Sequence, residues 1–89
     1  MTVALMWEAR AVPGRDAELL EWVREQWLDG EPLRREIFGA REDRVLVITW
    51  WDAPFEAELP EFPDPAPELV ARPVHRWRFE SLEVQPAGA

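Results

Sequence analysis

The chain has no cysteine, tyrosine, lysine or asparagine, and a single histidine. Without cysteine there can be no disulfide, no thiol nucleophile and no thiolate metal site. One histidine does not supply a zinc cluster, and no serine or second histidine stands where a known catalytic constellation needs it. The four glycines form no phosphate-binding loop and no dinucleotide fingerprint. No stretch approaches the roughly 18 consecutive apolar residues that span a bilayer. The start, Met1-Thr2-Val3-Ala4-Leu5-Met6-Trp7-Glu8, lacks the basic opening and small-residue cleavage site of a secretory signal. A cytoplasmic location is therefore the expectation, with no membrane partner.

Positive charge is also scarce. Eighteen acidic residues against ten basic ones give a net charge of −8, which disfavours binding to polyphosphate and so excludes general nucleic-acid recognition. Every basic residue is arginine. With the abundance of Ala and Pro, this is the bias of a GC-rich coding sequence, so arginine was not chosen over lysine for its chemistry position by position.

What the chain does have is aromatic bulk: six tryptophans and four phenylalanines in 89 residues. So short a chain forms one domain with a modest core. It must stabilise itself through large buried rings or through burial against a second subunit. A single domain over residues 1–84 is expected, with a frayed tail at 85–89.

Val3 to Ala11 reads as a strand apolar at both parities near its start, the pattern of a central strand. Val12-Pro13-Gly14-Arg15 is a turn. Asp16 to Leu28 reads as the one clear helix, with Leu19, Leu20, Val23 and Trp27 on one stripe and Gly30 as a left-handed stop. Leu33–Ala40 and Arg44–Trp51 form a hairpin around Arg41-Glu42-Asp43. Residues 52–73 hold six of the nine prolines, a spacing that forbids a long helix and leaves at most a short one after Pro67. His75 to Val84 reads as the last strand. The order predicts an α+β, ferredoxin-like βαββ(α)β antiparallel sheet with helices on one face and a second helix degraded by prolines.

Alternation divides each strand into two faces. One set, Leu5, Trp7, Ala9, Ile37, Leu46, Ile48, Trp50, Trp77 and Phe79, is expected under the helix. The other mixes Met6, Glu8, Arg10, Arg34, Glu36 and Phe38 with Val45, Val47, Thr49 and Trp51, then Arg76, Arg78, Glu80 and Leu82. Left open, this face is an apolar patch with charges of both signs, which suits a two-fold homodimer.

This length and element order, the Val12–Arg15 turn into the helix, the Trp50-Trp51-Asp52 strand end and the closing Val74–Glu80 strand resemble the dimeric α/β-barrel superfamily. The likeness is nearest to its antibiotic-biosynthesis-monooxygenase-like domains and covers Thr2 to Val84. The resemblance implies two face-to-face sheets in a barrel, and cofactor-independent oxidation of aromatic small molecules among the activities. It also includes haem-degrading members, which depend on an asparagine in the first strand, a tryptophan in the third and a histidine in the second helix. Trp50 or Trp51 matches the tryptophan. The chain has no asparagine, and His75 opens the last strand, so no cofactor is expected.

The candidate pocket-lining residues are Glu8, Arg10, Phe38, Thr49, Trp51, His75, Arg76 and Arg78; no catalytic residue is assigned. His75 fits a general base or a structural hydrogen bond. Trp50 is expected in the core, Trp51 at the dimer interface or stacked on an aromatic small-molecule ligand. Glu8 and Arg10, facing Arg76, Arg78 and Glu80, fit an ion-pair ladder or an anion site. Glu56, Glu58, Glu61 and Asp64 are expected to be solvated rather than to hold a cation. Two functions remain: a cofactor-free monooxygenase-like enzyme, or a non-catalytic dimeric domain that binds a ligand or partner, with Phe55 and Phe62 as contacts.

Overall fold

The computed structural model describes residues 1–88. Five regular elements follow in order: β1 (Thr2–Arg10), α1 (Asp16–Glu25), β2 (Arg34–Ala40), β3 (Arg44–Asp52) and β4 (His75–Glu80). The second helix, expected to be degraded by prolines, is reduced to a single 3₁₀ turn, Pro67–Leu69. The strands form one sheet in the order β2-β3-β1-β4, every neighbouring pair antiparallel. This α+β architecture is compatible with the ferredoxin-like expectation. No helix among the described residues is long and apolar enough to cross a membrane.

α1 is shorter than its apolar stripe suggests. Asp16 and Glu18 stand in its first turn, where the helix dipole favours them. Only Leu19 and Val23, one turn apart, are fully buried. At Gln26 the backbone turns extended (ψ 136°), and the helix ends. Trp27 consequently leaves the stripe and is 90% exposed, a correction to the sequence reading. Gly30 does adopt positive φ (+94°), but four residues beyond the cap. A Cβ there would meet the Trp51 ring at about van der Waals distance (3.4 Å), so it is the positive φ, and not want of space, that calls for glycine.

The last strand is also shorter than expected. It stops at Glu80, and Leu82 and Val84 are exposed in irregular chain. Position 89 of the expected tail lies outside the described residues.

The core contains Trp7, Ala9, Leu19, Val23, Val45, Val47 and Phe62, with Trp22 packed against it. Trp7 meets Phe62 at 4.9 Å and Trp22 at 6.0 Å between ring centroids. A second cluster gathers Val3, Leu5 and Trp51. Phe62 therefore belongs to the core, not to a contact surface. The proline-rich segment reaches in from the side and supplies the ring that a second helix would otherwise bring.

Candidate functional site

The register corrects two of the four face assignments. Val3 lies opposite Trp51, Leu5 opposite Thr49, Trp7 opposite Val47 and Ala9 opposite Val45. Val45, Val47, Thr49 and Trp51 thus share the helix-covered face with β1's odd residues. Arg76 and Arg78 pair with Trp7 and Leu5 and lie on that face too. Leu46, Ile48, Trp50, Trp77 and Phe79 stand on the opposite, open face, with Met6 and Phe38.

The physical reasons differ by strand. In β3 both parities are apolar, so alternation carries no sign, and the hairpin pairing of Ala40 with Arg44 decides. In β4 polarity pointed the wrong way because the proline-rich segment needs donors. Prolines carry no N–H, and the irregular chain leaves carbonyls unmatched. Arg78 donates to the carbonyls of Phe55 (2.6 Å) and Ala57 (2.7 Å). Arg76 donates to the Phe62 carbonyl and to Asp64 (2.7 Å). Two arginines fasten the segment to the sheet and turn Trp77 and Phe79 outward.

The eight predicted pocket residues are therefore divided between two faces. Thr49, Trp51, Arg76 and Arg78 lie under the helix side. There Trp51 Nε1 donates to Thr49 Oγ1 at 2.9 Å, and both residues are buried. Glu8, Arg10, Phe38 and His75 belong to the open face. Trp50, expected in the core, also stands there, with the Arg34 guanidinium 5.2 Å from its ring centre.

Glu8 is the polar hub. Its side chain is only 12% exposed. It accepts a hydrogen bond from Arg72, with Arg44 Nη1 and His75 Nδ1 each 3.9 Å away. The expected ladder with Arg76, Arg78 and Glu80 does not form. Arg72 escaped sequence reading because it lies in irregular chain, where strand alternation says nothing about its direction.

The open face reads as rows across β2, β3, β1 and β4: Arg34-Trp50-Ala4-Phe79, then Glu36-Ile48-Met6-Trp77, then Phe38-Leu46-Glu8-His75. Its middle is apolar, and charges stand around it. Trp77 and Phe79 are each 52% exposed. Burying the open halves of two such rings, roughly 100 Å² each, is worth about 5 kcal/mol of apolar transfer, against which the cost of association is set.

On the helix side the middle of the sheet is filled, while a half-open cleft of about 360 Å³ lies between α1 and the β2–β3 hairpin, lined by Leu20, Arg24, Ile37 and Val45. The gap beside Leu5, Trp7, Val47, Thr49 and Phe62 is about 10 Å³. Trp7 Nε1 is buried and meets no acceptor among the described residues. A half-open cleft of about 490 Å³ lies farther out, walled by Pro65, Pro67, Val70, Pro73 and Val74 beside Arg72 and Arg76. Both arginines are already held by carboxylates. No group of three or more His, Asp or Glu converges for a metal among the described residues. Glu61 and Asp64 face Arg76 instead, at 3.5 and 2.7 Å. No protein-family model matches this chain, and neither does any curated protein or solved structure.

Proposed function

We propose that this chain works as a homodimer built by packing two open sheet faces together, a dimeric α/β barrel of the antibiotic-biosynthesis-monooxygenase-like kind, and that the dimer is a non-catalytic binding domain. The observation that carries this reading is the open face itself. Ala4, Met6, Phe38, Leu46, Ile48, Trp50, Trp77 and Phe79 share one side of the sheet, the one opposite α1, and no helix among the described residues packs on it. A patch of this kind marks an interaction site. Its apolar middle and charged rim have the anatomy of a protein interface. Both charge signs occur on it, as self-association requires.

What supports the binding reading over the enzymatic one is that neither wide cleft, the proline-walled one or the one between α1 and the β2–β3 hairpin, is lined by His75, Trp51 or Glu8. A multi-ring substrate needs a pocket of several hundred Å³. Trp7, Trp22 and Phe62 pack on one another and fill the space between α1 and the middle of the sheet. His75 lies beside Glu8 and Trp77 on the open face, away from the proline-walled cleft. The net charge of −8 supports a partner that is not a nucleic acid. A cytoplasmic setting belongs to the same proposal.

Light scattering tests the dimer: twice the 10.4 kDa chain mass is expected at micromolar concentration, and a clean monomer would overturn it. Oxygen uptake with a panel of polycyclic phenols tests the second half. No turnover is expected, and saturable, protein-dependent oxidation would restore the enzymatic reading.

A further inference from the structure

On the open face Arg34 and Glu36 pair with each other on β2, and the charges left over stand at the two ends of the β1–β3 pair. At one end Arg10 and Arg44 stand directly opposite each other on neighbouring strands. Like charges in that position repel. Arg44 reaches Glu8 only at 3.9 Å, and Glu8 already serves Arg72. Arg10 makes no ion pair among the described residues. Glu42 and Asp43 stand in the adjoining turn but pair with neither arginine among the described residues, so on the open face itself Glu8 is the one carboxylate in reach of this end.

At the other end of β3 stands Asp52, paired in register with Thr2. By alternation it shares the open face with Trp50 and Ile48. Its carboxylate is 78% exposed and has one neighbour, the Met1 amine at 3.6 Å. An exposed pair of that length is worth little.

Ile48 is four residues from Arg44 and four from Asp52. Met6, its cross-strand partner, is likewise four residues from Arg10 and four from Thr2. At about 3.3 Å per residue, the cationic and anionic ends lie roughly 13 Å to either side of the Ile48–Met6 row.

From this spacing we infer that the two-fold axis of the homodimer crosses the strands at Ile48 and Met6, so that Arg10 and Arg44 of each copy meet Asp52 of the other. The inference rests on the face-to-face dimer proposed above and specifies its register. A two-fold along that row reverses the strand direction while keeping strand order. β3 then lies over its own copy, with Arg44 facing Asp52 of the second chain at both ends. The same operation sets Leu46 over Trp50, Glu8 over the small Ala4, and His75 over Phe79. It also brings the Trp77 rings together at the axis, and at the β2 end of the same row it sets Glu36, already paired with Arg34, against its own copy. Sheets packed face to face keep their strands within about 30° of each other, so the relation survives the normal twist. An arginine buried without an acid would oppose association; in this register the second copy supplies the acid.

Charge reversal tests the register, because the axis repeats each mutation at both ends. One variant is Asp52→Arg, which makes both ends of the face cationic. The other is Arg10→Glu with Arg44→Glu, which makes both anionic. Each alone should dimerise at least about tenfold more weakly than the native chain. Mixed in equal amounts, they should form a heterodimer of near-native affinity. Asp52→Asn, which removes the acid without adding repulsion, should fall between. Circular dichroism of each variant checks that the fold is kept; a set that fails to fold is replaced by Asp52→Lys with Arg10→Gln and Arg44→Gln, for which the same order of affinities is expected. If the native chain dimerises and the reversals do not change its affinity, or the mixture is no tighter than its components, this register is wrong while the dimer stands. A monomeric native chain would instead overturn the dimer itself.

Discussion

Arg35, on β2, donates a hydrogen bond to the Val23 carbonyl at the end of α1, 2.8 Å away, and a second to Gln26 at 2.6 Å. The last carbonyls of a helix have no partner within it. Here a guanidinium from β2 adds a second donor to the Val23 carbonyl, which also accepts the Gln26 backbone N–H, and supplies one to the carbonyl of the cap residue Gln26; its face also lies 5.1 Å from the Phe62 ring centre. Burial lowers the Arg35 pKa from the usual arginine value, which reports how far the charge has left water.

Arg35→Leu should therefore destabilise the fold although it adds apolar surface. Two carbonyls lose charge-assisted donors, a loss of about 1–3 kcal/mol. In a domain of this size each kcal/mol lowers the melting temperature by roughly 4–8 °C. Arg35→Lys should recover only part of the loss, since a single ammonium does not reproduce the planar fork. A leucine variant that melts with the native chain would show that the helix end is held by packing alone.

The element order was legible because each strand is bounded by turn chemistry and α1 carries one clean apolar pair. The faces of β1 and β2 were legible as well. Trp7 and Ala9 go inward while Glu8 and Arg10 go outward, so polarity and alternation agree. In β3, Val47 and Ile48 are equally apolar, and nothing local separates them. In β4, Trp77 and Phe79 have the composition of a core and stand on the open face. The cause lies about twenty residues away, in the carbonyls of Phe55 and Ala57 that Arg78 satisfies. Long-range hydrogen bonding of this sort leaves no periodic trace. The candidate site residues are divided for the same reason: Glu8, Arg10, Phe38 and His75 stand on the open face, spread over β2, β1 and β4, and those taken from β3's other parity and from β4's arginines lie on the helix side.

The Arg15–Glu18 pair gives a pH-dependent expectation with a definite sign. Arg15 Nη2 lies 2.8 Å from Glu18 Oε2, and the hydrogen bond from Arg15 holds the Glu18 carboxyl below its ordinary value. A depressed carboxyl stabilises the folded state above its unfolded pKa, and that contribution fades as the pH falls through the folded value. The pair is exposed, so its effect on the melting temperature should be slight. Arg15→Ala should return the Glu18 titration, followed by NMR of its side-chain carboxyl, towards the ordinary glutamate range. An unchanged titration would mean that the hydrogen bond is not formed in solution.

Glu8 and Arg72 should prove coupled. Glu8→Gln leaves Arg72, Arg44 and His75 around an uncharged group, and Arg72→Gln leaves Glu8 with only its two longer partners. Each single change should destabilise by about 1–2 kcal/mol, and the double variant by less than their sum. Denaturant melts of all four proteins give the interaction energy, expected between about 0.5 and 3 kcal/mol. Strict additivity would reduce Glu8 to an ordinary rim carboxylate.

Two adjacent residues on β3 provide the sharpest separation of folding from association. Val47 is 1% exposed and packs in the core, while Ile48 faces out from the middle of the open face. Val47→Arg places an unpaired charge among Trp7, Val23 and Phe62, a change that removes several kcal/mol of stability and should unfold so small a domain. Ile48→Arg places the same charge at the centre of the proposed interface, where the monomer leaves it in water. That variant should keep a native circular dichroism spectrum and melt cooperatively, yet scatter as a single chain. Ile48→Ala removes area without adding charge, so it should weaken the dimer without abolishing it, in line with roughly 25 cal/mol per Å² of lost apolar contact. If Val47→Arg remained folded and monomeric while Ile48→Arg unfolded, the two faces would have to be exchanged, and the assignment of Trp50, Trp77 and Phe79 to the interface would go with them. If both variants folded and both remained dimeric, association would have to use another surface, such as the exposed Trp27 and Leu33 beyond the end of α1.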